Sequence, residues 1–366
     1  MSNTQKKNVP ELRFPEFEGE WEEKKLGDTL EFIKDGTHGT HENVNNGPWL
    51  LSAKNIKNNK IVISSDDRKI SESDYKKIYK NYKLEKGDLL LTIVGTIGRA
   101  AIVKNPNNIA FQRSVAILKT KATYDVEFIF QLFQTKYFKN LLLRKQVVSA
   151  QPGLYLGDIR KIKISITNII EEQRKIGTFF RKIDRQIELE EQKLELLQQQ
   201  KKGYMQKIFS QELRFKDENG NDYPEWEETT IKEIAQINTG KKDTKDAITN
   251  GSYDFYVRSP IVYKINTFSY EGEAILTVGD GVGVGKVFHY VNGKFDYHQR
   301  VYKISDFKNY YGLLLFYYFS QNFLKETKKY SAKTSVDSVR KDMIANMKVP
   351  RPIYIEQKKS VNSLKE

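Results

Sequence analysis

The chain has 366 residues, 39% of them hydrophobic and 12% aromatic, which is enough apolar content for two or three packed domains and excludes a disordered chain. Lys and Arg outnumber Asp and Glu by 61 to 47, and the net charge of +14 points to a polyanion, nucleic acid before membrane surface, or else serves solubility alone. With no cysteine there are no disulfides, thiolate metal sites or cysteine nucleophile; with no long apolar run and no hydrophobic block in MSNTQKKNVPELRF, a cytoplasmic protein without a membrane span is expected.

Residues 11–28 read ELRFPEFEGEWEEKKLGD, an acidic turn-like stretch followed by Trp21-Glu-Glu. His38-Gly-Thr-His41 offers two imidazoles in a glycine-bearing loop without a third ligand, too few for a metal site. Residues 68–86 carry seven Lys/Arg against three acids, interleaved with Tyr75, Tyr79 and Tyr82. Gly87-Asp-Leu-Leu-Leu-Thr-Ile-Val is an apolar β-type run that ends in the glycine turn 95–98, and Gln112-Arg113 leads a further strand. Residues 125–145 have apolar side chains at three and four spacing, as a core-facing helix requires. Ser149-Ala150, a loop and a short β-type run at 162–166 come next.

Residues 171–209, without proline and with two glycines, form the stretch that organises the chain. Alternate steps of four and three visit Ile176, Phe180, Ile183, Ile187, Glu190, Leu194, Leu197, Lys201, Tyr204 and Ile208. Eight of these ten positions are apolar, the spacing of a coiled-coil seam, and the other faces are charged or amide-bearing. At 1.5 Å per residue this is a rod of about 58 Å between two bodies.

The order then recurs. Residues 212–233 repeat ELRF and Trp226-Glu-Glu; Gly272-Glu-Ala-Ile-Leu-Thr echoes Gly87-Asp-Leu-Leu-Leu-Thr and precedes a second glycine turn, 279–285. Gln299-Arg300, an aromatic helix at 308–326, Ser331-Ala332, a β-type run at 347–350 and Glu356-Gln-Lys-Lys complete the copy. A unit of roughly 190 residues is too long for a solenoid repeat, so the chain is a duplicated α+β domain with a duplicated spacer. Residues 34–70 and 238–268 share almost nothing, which marks them as the places where the two copies recognise different things.

Catalytic signatures are lacking. Gly279-Asp-Gly-Val-Gly-Val-Gly has neither the spacing of a phosphate cradle nor a following Gly-Lys-Ser/Thr, and a strand-to-strand turn explains its glycines. There is no nucleophile elbow and no Asn-Pro-Pro-Tyr-type methyltransferase motif, so neither catalysis nor a cofactor is expected of the chain itself. What remains is basic and aromatic surface on both copies, 68–86 and 325–348, with polar loop residues such as Thr37, Asn55, Gln112 and Gln151 able to reach base edges.

The paired ELRF…Trp-Glu-Glu openings, the two Gly-Asp/Glu…Leu-Thr segments with their glycine turns, the two Glu-Gln-Arg/Lys-Lys helix starts and the rod ending Gln199–Phe209 resemble the specificity (S) subunit of Type I restriction–modification systems over essentially the whole chain. The resemblance implies two target-recognition domains (1–166 and 210–352, mixed β-sheet plus helices), separated by a spacer helix (167–209), with 353–366 starting a second spacer helix that is truncated. It implies that each domain reads one half of a bipartite site in double-stranded DNA, that methyltransferase (M) subunits dock on the spacer helices, and that restriction (R) subunits join through the complex. The open alternative is a non-catalytic scaffold presenting two modules that bind other ligands. Candidate DNA contacts are Lys54, Asn55, Arg113 and Gln151 in the first domain and Arg258, Gln299, Arg300 and Lys333 in the second; the two Gln-Arg pairs could equally be strand-edge structure. The spacer interface is Ile176, Phe180, Ile183, Ile187, Leu194, Leu197, Tyr204 and Ile208. The ten-residue stub can cover only part of that seam, with Val361 and Leu364, so the rod is expected to find a partner in trans: M-subunit helices, or a second copy packed antiparallel with Glu190 facing Lys201.

Overall fold

In a computed structural model of the chain, residues 8–80, 82–146, 153–330 and 338–364 are described. The chain forms two compact units, 1–191 and 192–366. The helix Ile170–Phe209, 40 residues long, lies between the two domains, beginning in the first unit and ending in the second.

In the first unit a four-stranded antiparallel sheet runs in the order Leu30–Asp35, Val115–Thr120, Leu89–Thr92, Ala100–Ile102. Beside it lies a three-stranded sheet in which Trp49–Leu51 runs parallel to Ile109–Phe111 and antiparallel to Arg68–Lys69. In the second unit the six strands Gln236–Thr239, Val301–Ser305, Tyr270–Val278, Phe288–Tyr297, Tyr253–Tyr256 and Val262–Ile265 make one sheet. It too contains a single parallel pair, Tyr253–Tyr256 with Phe288–Tyr297. The two schemes are the same: the long strand Phe288–Tyr297 does in one piece what Ala100–Ile102 and Ile109–Phe111 do in two. In each unit the Trp-Glu-Glu opening becomes a strand, Glu22–Lys25 or Glu227–Thr230, paired with the β-type run that precedes the Glu-Gln helix start.

Both faces of the central strands are buried. Leu89 and Leu91 pack with Phe128, Phe133 and Phe138 of the helices, while Leu90 faces a second cluster with Phe111 and Ile117. The single helix expected over 125–145 is two, Val126–Gln134 and Lys136–Lys145. Thr135 breaks it: its hydroxyl donates to Leu132 O (2.7 Å) and accepts from Phe138 N–H (3.1 Å), so the same residue ends one helix and caps the next. The corresponding segment of the second unit stays one helix, Gly312–Lys328.

The repeated sequence motifs meet as a clamp. Arg13 of the first ELRF donates from Nε and Nη2 to the two carboxylate oxygens of Glu172 (2.7 and 2.8 Å). Arg214 of the second ELRF reaches both oxygens of Glu356 at 3.3 Å. The neighbouring glutamines anchor the start of each departing helix: Gln173 accepts from Asp125 N–H and donates to Thr167 O, and Gln357 accepts from Tyr311 N–H and donates to Pro352 O. Both glutamates and both glutamines are buried, so these four short motifs are structural joints between the start of each domain and the helix that leaves it.

Gly177 lets the long helix approach its domain closely. A Cβ there would stand 2.7 Å from Asp125 Oδ1 and 2.9 Å from Phe128 N. Of the eight apolar seam residues, Ile176 packs against the first unit's core and Ile208 is fully buried in the second. Phe180, Ile183, Ile187, Leu194, Leu197 and Tyr204 are 40–57% exposed. Val361 of the helix Tyr354–Asn362 and Leu364 just beyond it join the cluster that holds Ile208, at one end of the seam.

Candidate nucleic-acid interface

Backbone hydrogen bonds fix which residues of the two units correspond. Ile93 N–H donates to Ser114 O and Gly279 N–H to Arg300 O; Arg113 N–H donates to Thr37 O and Gln299 N–H to Lys242 O. Arg113 therefore stands where Gln299 stands, and Gln112 where His298 stands, one residue out of step with the two Gln-Arg pairs in the sequence. The faces agree: Leu90 and Leu276 both lie on the side away from the helices, whereas matching the Leu-Thr motifs letter for letter would set Leu90 against Ile275, which faces them. A one-residue slip exchanges the two faces of a strand, so burial decides the register.

At this end of the sheet each unit gathers its divergent segment. In the first, the backbone at Gly36 passes so close to the Phe111 and Gln112 carbonyls that no side chain fits. Thr37 N–H then donates to Phe111 O (2.8 Å), and the chain turns into a concave patch lined by Thr37, His38, Gly39, Thr40, His41, Arg68, Gln112 and Arg113. Asp35 holds His38 at 2.5 Å, Thr37 Oγ1 meets His41 Nε2 at 2.9 Å, and Arg68 donates to the His41 carbonyl. Asp74, kept below the usual carboxylate range chiefly by a hydrogen bond from Lys77, stands 3.5 Å from His41 Nδ1. Arg113 is exposed at the rim.

In the second unit Gly240 makes the same close pass, against the Tyr297 and His298 carbonyls. His298 is buried, accepts from Arg300 N–H at Nδ1 (2.9 Å) and has its pKa lowered by that burial and by Arg258. Gln299 Nε2 donates to Asp243 Oδ2 at 3.1 Å. Asp280 lies between two arginines, 3.2 Å from Arg258 Nη1 and 3.6 Å from Arg300 Nε.

The predicted contacts divide accordingly. Arg113 joins the first cluster; Arg258, Gln299 and Arg300 join the second. Gln151 and Lys333 lie outside the described residues. Asn55 is turned inward, away from the surface expected of it: it is 3% exposed, donates to Val62 O (2.9 Å) and Asp67 Oδ2 (2.6 Å), and accepts from Ser52 N–H (3.0 Å). Its amide is spent inside the turn, and Lys54 Nζ is tied to the same Asp67 at 2.7 Å. Tyr79 and Tyr82 of the basic stretch also turn inward, donating to Ile109 O (2.6 Å) and Asp88 Oδ2 (2.5 Å), while Lys76, Lys77, Lys80, Lys83 and Lys86 stay exposed. Arg68, Lys242, Asp243, Asp280 and His298 were missed; the signal that could have found them was the divergence of 34–70 from 238–268, which contain the first three.

The chain thus carries two copies of one frame, each with a different polar loop cluster at the same end of its sheet. The sequence model of the Type I restriction modification DNA specificity domain matches residues 18–199 and 223–366, and the chain belongs to that family. A Type I restriction enzyme MjaVIII specificity subunit from Methanocaldococcus jannaschii is 26% identical over 220 residues, 58% of this chain and 51% of its own length. The EcoDI specificity subunit from Escherichia coli is 26% identical over 133 residues, 36% of this chain and 29% of its own. The chain thus spans about half the length, or less, of these curated relatives. The crystal structure of a Type I restriction–modification S subunit from M. genitalium matches at a TM-score of 0.67 and 14% identity, over 94% of this chain and 88% of that one, a likeness of fold. Among the described residues no helix is long and apolar enough to cross a membrane.

Proposed function

We propose that the chain is the DNA sequence-recognition component of a Type I restriction–modification complex, each unit reading one half of a bipartite duplex site through the loop cluster at its sheet end. The observation that carries this reading is the pairing of a shared frame with unlike clusters: the strand order and the clamps repeat, whereas the first unit's cluster holds His38, His41, Arg68 and Arg113 and the second's holds Lys242, Arg258, His298 and Arg300. The net charge of +14 supplies the non-specific attraction to phosphate on which base contacts operate. The chain itself is non-catalytic in this reading; methylation belongs to M subunits and cleavage to R subunits.

The exposed seam from Phe180 to Tyr204 supports docking of M-subunit helices. Self-pairing has less support, because Lys201, which would answer Glu190 of a second copy, is held 3.2 Å from Tyr317 Oη with its ammonium 4.7 Å from that ring's centre. The reading is tested by exchanging residues 15–166 for those of a family member with another specificity and sequencing the methylated bases. One half-site changes and the other stays; change in both halves or in neither refutes it. Binding of the purified chain to duplex DNA should also fall linearly in log–log with salt, as counterion release demands.

A further inference from the structure

We infer that Arg258 and Arg300, joined by Asp280, read a guanine in the half-site assigned to the second unit. The inference rests on the DNA-recognition reading and goes beyond it by naming the base and the side chains.

Three elements bring the group together. Arg258 follows the strand Tyr253–Tyr256, Asp280 follows Tyr270–Val278, and Arg300 ends the turn before Val301–Ser305. The glycine turn 279–285 is what seats them. A Cβ at Gly283 would stand 3.0 Å from the carbonyl of Arg258, and one at Gly279 would stand 3.0 Å from the carbonyl of Arg300. The turn is therefore wedged between the backbones of the two arginines, and Gly281, with φ +80°, makes the bend in between. At its tip Val282 is 94% exposed, an apolar side chain offered to whatever the arginines meet.

The charge pattern selects a base edge over a phosphate. Two arginines alone would suit a phosphate, but the Asp280 carboxylate between them repels one and reduces the trio to a single net positive charge. Guanine presents two neutral acceptors, O6 and N7, in the major groove, and a guanidinium donates to both at once. The Asp280 contacts lie at Nη1 of Arg258 and at Nε of Arg300, which leaves Nη2 of Arg258 and both terminal nitrogens of Arg300 to donate outward. Holding an arginine by a carboxylate lowers the conformational entropy lost when it docks, so the pair is preorganised for a directional contact. At the matching positions of the first unit Val94 and Thr96 stand where Asp280 and Val282 stand.

The test uses the full-length chain and duplexes bearing its methylated site, with each base pair of both half-sites varied in turn. Replacing one guanine in the second unit's half-site by adenine, or by 7-deazaguanine, should weaken binding tenfold or more. Arg258→Ala or Arg300→Ala should abolish that discrimination and leave every preference in the other half-site intact. Asp280→Asn should strengthen binding to unrelated DNA and narrow the gap between guanine and adenine. If the arginine variants lower affinity equally for all sequences, the residues are phosphate contacts and the inference is overturned. If the wild-type chain shows no salt-dependent binding to any duplex, it is the DNA-recognition reading that fails. Arg258 and Arg300 are exposed and Asp280 is half-buried, and unchanged thermal melting of the variants separates either outcome from misfolding.

Discussion

Replacing Arg13 by Ala removes the partner of a buried carboxylate. Glu172 has no exposed side-chain surface and Arg13 only 12%; two hydrogen bonds of 2.7 and 2.8 Å join them, and Trp21 Nε1 donates to the same carboxylate at 3.4 Å. Breaking a buried pair by deleting one member costs about 3–5 kcal/mol, because the charge left behind has lost its solvation and its partner. The slight exposure of Arg13 places the expected loss near the lower figure, about 3 kcal/mol. Burial pushes the Glu172 carboxyl up, but hydrogen bonds from Arg13, Thr167 and Trp21 outweigh it and hold the group below its ordinary value. A depressed folded-state pKa gives stability that is present above the unfolded value, about 4.3, and lost as pH falls through the folded one. The penalty of Arg13→Ala should therefore be full at pH 7 and shrink in acid below about pH 4. Urea denaturation, followed by hydrogen exchange in peptides from each unit, should place the loss in the first unit alone. A loss under about 1 kcal/mol at pH 7, the range of an exposed ion pair, would refute the clamp, as would one that does not diminish in acid.

Arg214→Ala should destabilise the second unit in the same way but by less, since its contacts with Glu356 are 3.3 Å, and melting resolved by unit checks this. Gly177→Ala should cost about 1–3 kcal/mol in the first unit, because its methyl would press on Asp125 Oδ1 and Phe128 N; thermal denaturation measures it. Asn55→Ala should destabilise by about 1–3 kcal/mol through the unmet groups of Asp67 and the 52–62 turn, yet leave DNA sequence preference unchanged in a binding assay. In the second unit the pKa values of His298 and His289 are lowered, chiefly by burial, so its stability should be full above about pH 6.5 and decline as pH falls through their folded values. Urea midpoints between pH 8 and 5.5 follow that decline, which His298→Asn should reduce.

What the sequence made legible depended on how local the cause was. The spacer helix expected at 171–209 spans Ile170–Phe209, because unbroken periodicity without proline needs no tertiary information. The duplication was legible because the clamps constrain Arg13, Glu172, Arg214 and Glu356 to the same residue types. Strand register was not: Thr92 and Thr277 match as letters but sit one step apart in the two sheets, and only the partner strands decide which face a residue takes. Asn55 looked like a polar loop residue because burial by Asp67 comes from a turn whose closure no short motif encodes. The packing role of Tyr79 and Tyr82 was hidden in the same way, since both follow the short helix Glu72–Ile78 among the exposed Lys76, Lys77, Lys80 and Lys83.

The two clamps also bear on how such a chain can change. An exchange of genetic material between copies must join strands that were never selected together, and most junctions would leave mismatched cores. A crossover within the Glu-Gln motif avoids this, because Glu172 and Glu356 each offer a carboxylate to the arginine of their own unit's ELRF, Arg13 or Arg214, with Gln173 and Gln357 anchoring the helix start in the same way. Everything between one ELRF and the next Glu-Gln could then be inherited as a cassette, arriving with its own sheet and its own loops. On the proposed reading, one recombination event would then replace the loop cluster of one unit whole and leave that of the other untouched.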